Sequence, residues 1–171
     1  IRRQRQMCIR DRIIAAIMAV GSGLLGTSIA MLGDMTDSIS LYLNRAGAGW
    51  PANTGIRTPT QVEPLAGGFV EMDNEDVAVY SAYGAKIRTI QPGYARPALA
   101  VGNTRFVLYN RAGKELTVQS RTRQLYAKSF NNAIMLCEMA QNGTLAVVTE
   151  SDRYAAEVMV YDASFSGDPF T

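Results

Sequence analysis

The chain has 171 residues, with 17 lysines and arginines, 15 aspartates and glutamates, and no histidine. The lack of histidine excludes Ser/His and Cys/His nucleophilic arrangements as well as imidazole metal sites. The formal charge of +2 depends on the first twelve residues, which hold five arginines and one aspartate.

The segment 2–11, RRQRQMCIRD, resembles the codon-for-codon translation of a transposase-type sequencing adapter, and we expect residues 1–12 to be foreign to the natural protein. A native basic leader containing Cys8 is the alternative. Excluding residues 1–12 leaves 12 basic and 14 acidic residues, a net charge of −2. Without a basic stripe to neutralise phosphates, the sequence predicts no nucleic-acid partner.

Twenty uncharged residues extend from Ile13 to Leu32. A helix of this length measures about 30 Å, the thickness of the hydrocarbon core of a bilayer. We expect one transmembrane helix acting as a signal anchor, with the following region on the external side of the cell membrane. A cleaved signal peptide and a buried helix are the alternatives. The external placement rests on the lone span and on Asp34 and Asp37 after it.

Residues 33–67 are predicted to form a juxtamembrane linker, because eight glycines and prolines interrupt the segment 44–68. The spacing of apolar residues in 35–43 is partly helical, and residues 60–63 suit a single strand. Trp50 is the only tryptophan. We expect it either at the membrane head-group interface or under the first sheet.

From residue 68 onward, short apolar runs alternate with turn residues. β-Branched and aromatic residues dominate most runs, and turn signals such as Asn142-Gly143 separate them, which indicates an antiparallel all-β domain. We predict ten strands, at 68–72, 76–80, 86–90, 98–101, 105–109, 115–119, 124–128, 133–139, 144–149 and 157–161.

The strand pattern repeats. The sequence GGFVEMDNEDVAVYSAYG can be laid over RPALAVGNTRFVLYNRAG, and AIMLCEMAQNGTLAVVTE begins the pattern again. Repeated groups of four short strands indicate an incomplete β-propeller of about two and a half blades over 68–171. A β-sandwich built from meanders is the alternative. We expect the last sheet of such an open arc to expose an unpaired edge.

The motifs VLYNRAG (107–113), QSRTRQLY (119–126) and AQNGTLAVVTESDRYAAE (140–157), with the apolar span and the Gly/Pro linker, resemble an uncharacterised family. Its members are single-span, propeller-like membrane proteins of anaerobic Gram-positive bacteria. The resemblance implies a membrane-anchored ectodomain and implies no catalytic residues. Members of that family continue well beyond this point, so we expect the natural protein to extend past Thr171.

Several residues are interpreted as structural. Cys137 lies in an apolar run, where an unpaired cysteine usually acts as a small hydrophobe. Tyr80, Tyr109 and Tyr161 recur at strand ends and are expected to pack between sheets. The run 73–76, DNED, offers oxygen ligands that suit Ca²⁺ but lacks the spacing of a calcium loop, so a polar hairpin turn is favoured. We predict no catalytic residue, no metal and no cofactor.

The candidate for recognition is the loop that contains Glu150, Asp152, Arg153 and Tyr154. It follows a strand and carries a charged and aromatic tip. The alternative interpretation is an Asp152–Arg153 ion pair that closes the loop, with Tyr154 packed on the neighbouring sheet.

The sequence therefore predicts a non-enzymatic, membrane-anchored module that binds an envelope protein, a peptide or a glycan. The alternative is a cell-envelope hydrolase or lyase whose acidic catalytic residues lie in further C-terminal blades.

Overall fold

The computed structural model of the chain describes residues 33, 35–39, 47, 49–56, 58–165 and 167–171. The leader and the expected span from Ile13 to Leu32 lie outside these residues. In the part of the chain that is described, no helix has both the length and the apolar character needed to cross a bilayer. Residues 35–39 are helical.

Eleven strands form three antiparallel sheets, each made of consecutive strands. Sheet 1 contains β1 (Gln61–Leu65), β2 (Gly68–Met72), β3 (Val77–Ser81) and β4 (Lys86–Ile90). Sheet 2 contains β5 (Pro97–Val101), β6 (Arg105–Asn110), β7 (Glu115–Ser120) and β8 (Gln124–Ser129). Sheet 3 contains β9 (Ile134–Met139), β10 (Leu145–Thr149) and β11 (Glu157–Tyr161). The predicted all-β class is confirmed, and the ten predicted strands are present with ends shifted by at most one residue.

The first sheet begins inside the predicted linker 33–67, where the single strand expected at 60–63 is present as β1. β1 pairs with β2 in unbroken register, from Gln61 opposite Met72 to Leu65 opposite Gly68. Pro64 has no N–H to donate, but β1 is an edge strand, where proline is tolerated. The first sheet therefore includes a strand that begins at Gln61.

Sheet 2 lies between sheets 1 and 3, and its second strand, β6, is buried on both faces. Successive residues of a strand point to opposite faces of its sheet, and in β6 the residues of both faces pack against a neighbouring sheet. Phe106 and Leu108 join the core shared with sheet 1, whereas Val107 and Tyr109 join the core shared with sheet 3. None of these four side chains is more than 3% exposed. Burial on both faces explains the unbroken apolar run of this strand.

The first strands of the three sheets, β1, β5 and β9, lie beside one another. The Gln61 side-chain amide of β1 donates a hydrogen bond to the Leu99 carbonyl oxygen of β5 at 3.1 Å. The remaining strands of each sheet follow in sequence order away from these inner strands. A sandwich has two sheets, so this arrangement of three differs from the sandwich alternative.

The strand-end tyrosines and Cys137 are buried: Tyr109 and Tyr161 lie in the core between sheets 2 and 3, whereas Tyr80 packs on Phe69 at the face of sheet 1 that points away from sheet 2. Tyr80, Tyr109 and Tyr161 are 2%, 3% and 2% exposed. Cys137 shares the core of Tyr109 and Tyr161. Burial raises the pKa of its thiol to about 12, so the reactive thiolate does not form near neutral pH.

Residues 49–56 cover the face of sheet 1 that points away from sheet 2. The Trp50 ring lies 5.5 Å from that of Phe69, and its Nε1 donates to a carbonyl oxygen of the β3–β4 turn at 3.0 Å. Phe69 in turn stacks on Tyr80 with ring centroids 5.2 Å apart. Of the two placements considered for Trp50, the structure shows the one against the first sheet. We call residues 49–56 the capping segment.

Candidate functional site

The connections between strands lie at two opposite rims. Each sheet is an antiparallel meander, so its connections alternate between the two ends of the strands. The loop rim carries residues 73–76, 111–114 and 150–156, the connection between the second and third strands of each sheet. The turn rim carries the other connections within the sheets, residues 66–67, 82–85, 102–104, 121–123 and 140–144.

The acidic turn at 73–76 is closed by its own backbone. The Asp73 carboxylate accepts hydrogen bonds from the backbone N–H groups of Asp76 at 2.7 Å and Glu75 at 2.8 Å. These two bonds hold the pKa of Asp73 below its ordinary value. Over the described residues, no three acidic, cysteine or histidine side chains are grouped to hold a metal ion. The structure shows the polar hairpin turn that the spacing favours.

The recognition loop at 150–154 stands at the same rim but on sheet 3, with sheet 2 between it and the acidic turn. Its base is anchored, because the Glu150 N–H donates to the Ala133 carbonyl oxygen at 2.9 Å. The Asn132 side-chain amide donates a second hydrogen bond, to the Glu150 carbonyl oxygen, also at 2.9 Å. The loop therefore leaves the sheet from a fixed position.

The tip of this loop is exposed. Tyr154 is 74% exposed, so it is not packed on a neighbouring sheet. The backbone N–H groups of Arg153 and Tyr154 both donate to the Ser151 hydroxyl at 3.4 Å, which shapes the tip without involving the charged side chains. Asp152 and Arg153 are also exposed.

A cleft of about 260 Å³ opens between sheets 2 and 3 on the loop rim. Its walls include Lys128, Phe130, Asn132, Thr149, Glu157 and Met159. Thr149 and Glu157 pair across β10 and β11, and they are the two residues from which the loop 150–156 leaves the sheet. The two strand residues that flank the exposed loop thus form one wall of the cleft. We call the loop and this cleft together the loop–cleft site.

Lys128 gives the site a fixed positive charge. Its Nζ lies 4.8 Å from the ring centroid of Tyr161 and 5.5 Å from that of Phe130, within the range of cation–π attraction. The neighbouring Tyr161 hydroxyl raises the pKa of Lys128 above its ordinary value. With Glu157 also in the lining, the cleft presents charges of both signs.

A second cleft, of about 380 Å³, opens between sheets 1 and 2 at the same rim. Arg96 and Arg111 contribute to its lining, together with Asn74 of the acidic turn. Neither cleft is evident from the sequence, because each lining combines residues of two sheets that lie far apart in the chain.

The helical residues 35–39 dock on the opposite, turn rim. The Thr122 hydroxyl donates to the Asp37 carboxylate at 2.7 Å, and the Arg121 guanidinium donates to the Ser38 hydroxyl at 2.7 Å. Arg121 also donates to the Ala66 carbonyl oxygen of the β1–β2 turn and is 3% exposed. One buried arginine therefore ties the helical residues to sheets 1 and 2.

The model of a family of unknown function, DUF5711, matches residues 51–166. The chain belongs to the DUF5711 family. The match covers all eleven strands and most of the capping segment of this DUF5711 protein, and it agrees with the resemblance to an uncharacterised family.

No curated protein matches this DUF5711 chain. Among solved structures, the chain is similar to one described as "Crystal structure of HIRA(644-1017)", with 12% sequence identity and a TM-score of 0.47. The similarity covers 64% of this chain and 38% of that one.

Proposed function

We propose that this DUF5711 protein is a membrane-anchored, extracytoplasmic module of propeller-like architecture that binds a polypeptide segment of another envelope protein. The binding surface is the loop–cleft site. One observation carries the proposal: Thr149 and Glu157, the strand residues that flank the exposed loop 150–156, both line the adjacent cleft. The exposed loop and the cleft are therefore adjacent, and we propose that one partner segment contacts both.

The arrangement of the sheets supports the propeller-like architecture. Propeller blades are antiparallel meanders of four strands whose first strands surround a common axis. Sheets 1 and 2 have four strands each, and β1, β5 and β9 are neighbours. In sheet 3, Phe170 lies beside the third strand and makes two backbone hydrogen bonds with Val160, at 2.8 and 3.0 Å. Phe170 thus occupies the position that the fourth strand holds in sheets 1 and 2.

The chemistry of the site suits a polypeptide. Lys128 and Glu157 offer a cation and a carboxylate, and Asn132 adds an amide next to them. Tyr154 supplies a large exposed side chain of the type that anchors protein interfaces, because it buries much area at a low cost in side-chain entropy. Asp152 and Arg153 flank it and favour a partner segment that carries both signs of charge.

The placement of the helical residues 35–39 supports the proposed orientation. They follow the uncharged segment that ends at Leu32 and dock on the turn rim, through Arg121 and Thr122. An anchor in that segment leaves the loop rim on the far side of the β domain from the tether. Loops that point away from the membrane are open to partners.

The test is crosslinking capture from the organism's own membranes with the full chain. A triple variant, Asp152→Asn, Arg153→Gln and Tyr154→Ala, is expected to lower capture of a specific protein by about tenfold or more, as loss of an interface anchor does. The control is Asn74→Ala with Glu75→Gln, which changes exposed residues of the same rim on sheet 1. Equal capture by the wild-type and triple-variant chains would contradict the proposal.

A glycan in place of a protein in the captured material would also contradict the proposal. Cleavage of the captured material would favour the hydrolase alternative.

A further inference from the structure

Sheet 3 has an apolar face that nothing covers among the described residues. Leu136, Val148 and Val158 stand side by side across its three strands, in register. Leu136 is 46% and Val158 50% exposed. The next row on the same face consists of Glu138, Ala146 and Val160, so its apolar members lie on the second and third strands of the sheet. We call this surface the outer face of sheet 3.

Phe170 enlarges this face. It forms an antiparallel bridge with Val160, and bridged residues place their side chains on the same face of a sheet. Phe170 is 85% exposed and Val160 36%. Large apolar side chains exposed side by side on one surface mark an interaction site more often than isolated ones do.

The corresponding face of each preceding sheet packs on the next sheet. In sheet 1, the cross-strand pairs Val70–Val79 and Met72–Val77 face sheet 2. In sheet 2, the pairs Val107–Val118 and Tyr109–Leu116 face sheet 3. All eight side chains are at most 4% exposed.

The second and third strands of sheet 3 carry the same two pairs. Ala146 is opposite Val160 and Val148 is opposite Val158, the positions that form both established interfaces. The register of the apolar pairs therefore continues through all three sheets. Only in sheet 3 do members of these pairs remain exposed.

The opposite end of the stack is closed in a different way. On sheet 1, the face that points away from sheet 2 is covered by the capping segment, through Trp50 against Phe69 and the Tyr80 hydroxyl bond to Thr54. Terminal repeats of stacked proteins usually carry such a cover or a polar outer surface. The outer face of sheet 3 has the apolar character of an internal interface instead.

We infer that the outer face of sheet 3 binds a fourth antiparallel β-sheet, whose contacting face is apolar like those that meet in the two interfaces already described. This face is distinct from the loop–cleft site, and the inference does not depend on the proposed binding function. Its warrant is the continuity of the paired register from Val70–Val79 through Val107–Val118 to Ala146–Val160.

The test places a photo-crosslinking amino acid at Val158 of the full chain in its own membranes. The matched control carries it at Val62, a valine of the edge strand β1 that is 53% exposed on the capped side of sheet 1. We expect crosslinks from position 158 at several times the yield from position 62. The crosslinked peptides should show the alternating apolar pattern of strands.

Three outcomes would overturn the inference: yields equal to those from position 62, crosslinks to phospholipid, and crosslinks to residues 1–171 of a second copy.

A second measurement uses the purified chain and an apolar fluorescent dye. Val158→Lys should reduce dye binding at least twofold with an unchanged circular dichroism spectrum, whereas Val62→Lys should not. Equal dye binding by the two variants would show that this face is not the accessible apolar surface.

Discussion

The hydroxyl of Tyr80 donates a hydrogen bond to the carbonyl oxygen of Thr54, and this bond joins the first sheet to the segment that covers it. The Thr54 hydroxyl in turn donates to the Glu71 carboxylate of β2 at 3.5 Å. Glu71 is 6% exposed, so the capping segment supplies a polar partner to a buried acid. Sheet 1 is closed on the side away from sheet 2, whereas sheet 3 is open on its corresponding side.

Removing the Tyr80 hydroxyl should lower the stability of the β domain. Tyr80→Phe leaves the Thr54 carbonyl without its partner, and loss of one such bond costs about 1–2 kcal/mol. Urea unfolding of the purified chain measures the change. Tyr154→Phe is the control, because that hydroxyl belongs to an exposed side chain and should change stability by less than about 0.5 kcal/mol. Equal losses in the two variants would show that the bond to Thr54 contributes nothing.

Loss of Arg121 should release the helical residues 35–39 from the turn rim. Arg121→Ala removes the bonds to Ser38 and Ala66. Amide hydrogen exchange in 35–39 should then become at least tenfold faster, while exchange in β6 stays slow, because local opening requires less free energy than global unfolding. Arg111→Ala, an exposed arginine of the loop rim, should leave exchange in 35–39 unchanged. Unaltered exchange in Arg121→Ala would mean that other contacts hold these residues.

The buried thiol of Cys137 predicts a decline of stability at alkaline pH. Burial raises its pKa from 9.0 to about 12 in the folded chain, so between these values the unfolded chain has lost a proton that the folded chain retains. The free energy of unfolding should therefore decrease as the pH rises above 9, by up to about 1.4 kcal/mol per pH unit from this group, and should not depend on it at lower pH.

The comparison uses Cys8→Ser as the reference, so that Cys137 is the only cysteine. Adding Cys137→Ala should lower stability below pH 9, through lost packing, and make the alkaline decline shallower. Parallel declines with and without Cys137 would contradict the pKa shift.

The strands of sheets 2 and 3 are predictable because their apolar residues alternate or run unbroken between clear turn signals, as in β6 and the hairpin at Gly143. Gly143 has φ of +87°, a conformation that glycine adopts without strain. β1 is less evident, because Pro64 and the neighbouring glycines are typical of linkers, and only its edge position makes the strand compatible with proline.

Burial of charged residues was harder to predict. Arg121 lies in the polar turn of QSRTRQLY, a sequence typical of solvent-exposed surface, yet its side chain is only 3% exposed. The groups it bonds, the Ala66 carbonyl oxygen of the β1–β2 turn and the Ser38 hydroxyl, are distant from it in the sequence. The cleft could not be predicted either, because Lys128 and Glu157 belong to different sheets and no local spacing in the sequence links them. By contrast, the exposed tip at Tyr154 follows from its own charged and aromatic sequence.

Labelling of intact cells with a membrane-impermeant maleimide tests whether a partner occupies the loop rim on the cell exterior. Two variants in the Cys8→Ser background carry one added cysteine each, Tyr154→Cys at the loop–cleft site and Asn142→Cys on the turn rim. Asn142 is exposed, and Cys137 is buried. A partner-occupied loop rim on the cell exterior predicts rapid labelling at 142, slow labelling at 154, and equal rates once the protein is purified in detergent. Labelling only after cell lysis, or equal rates at 142 and 154 on intact cells, would contradict the account.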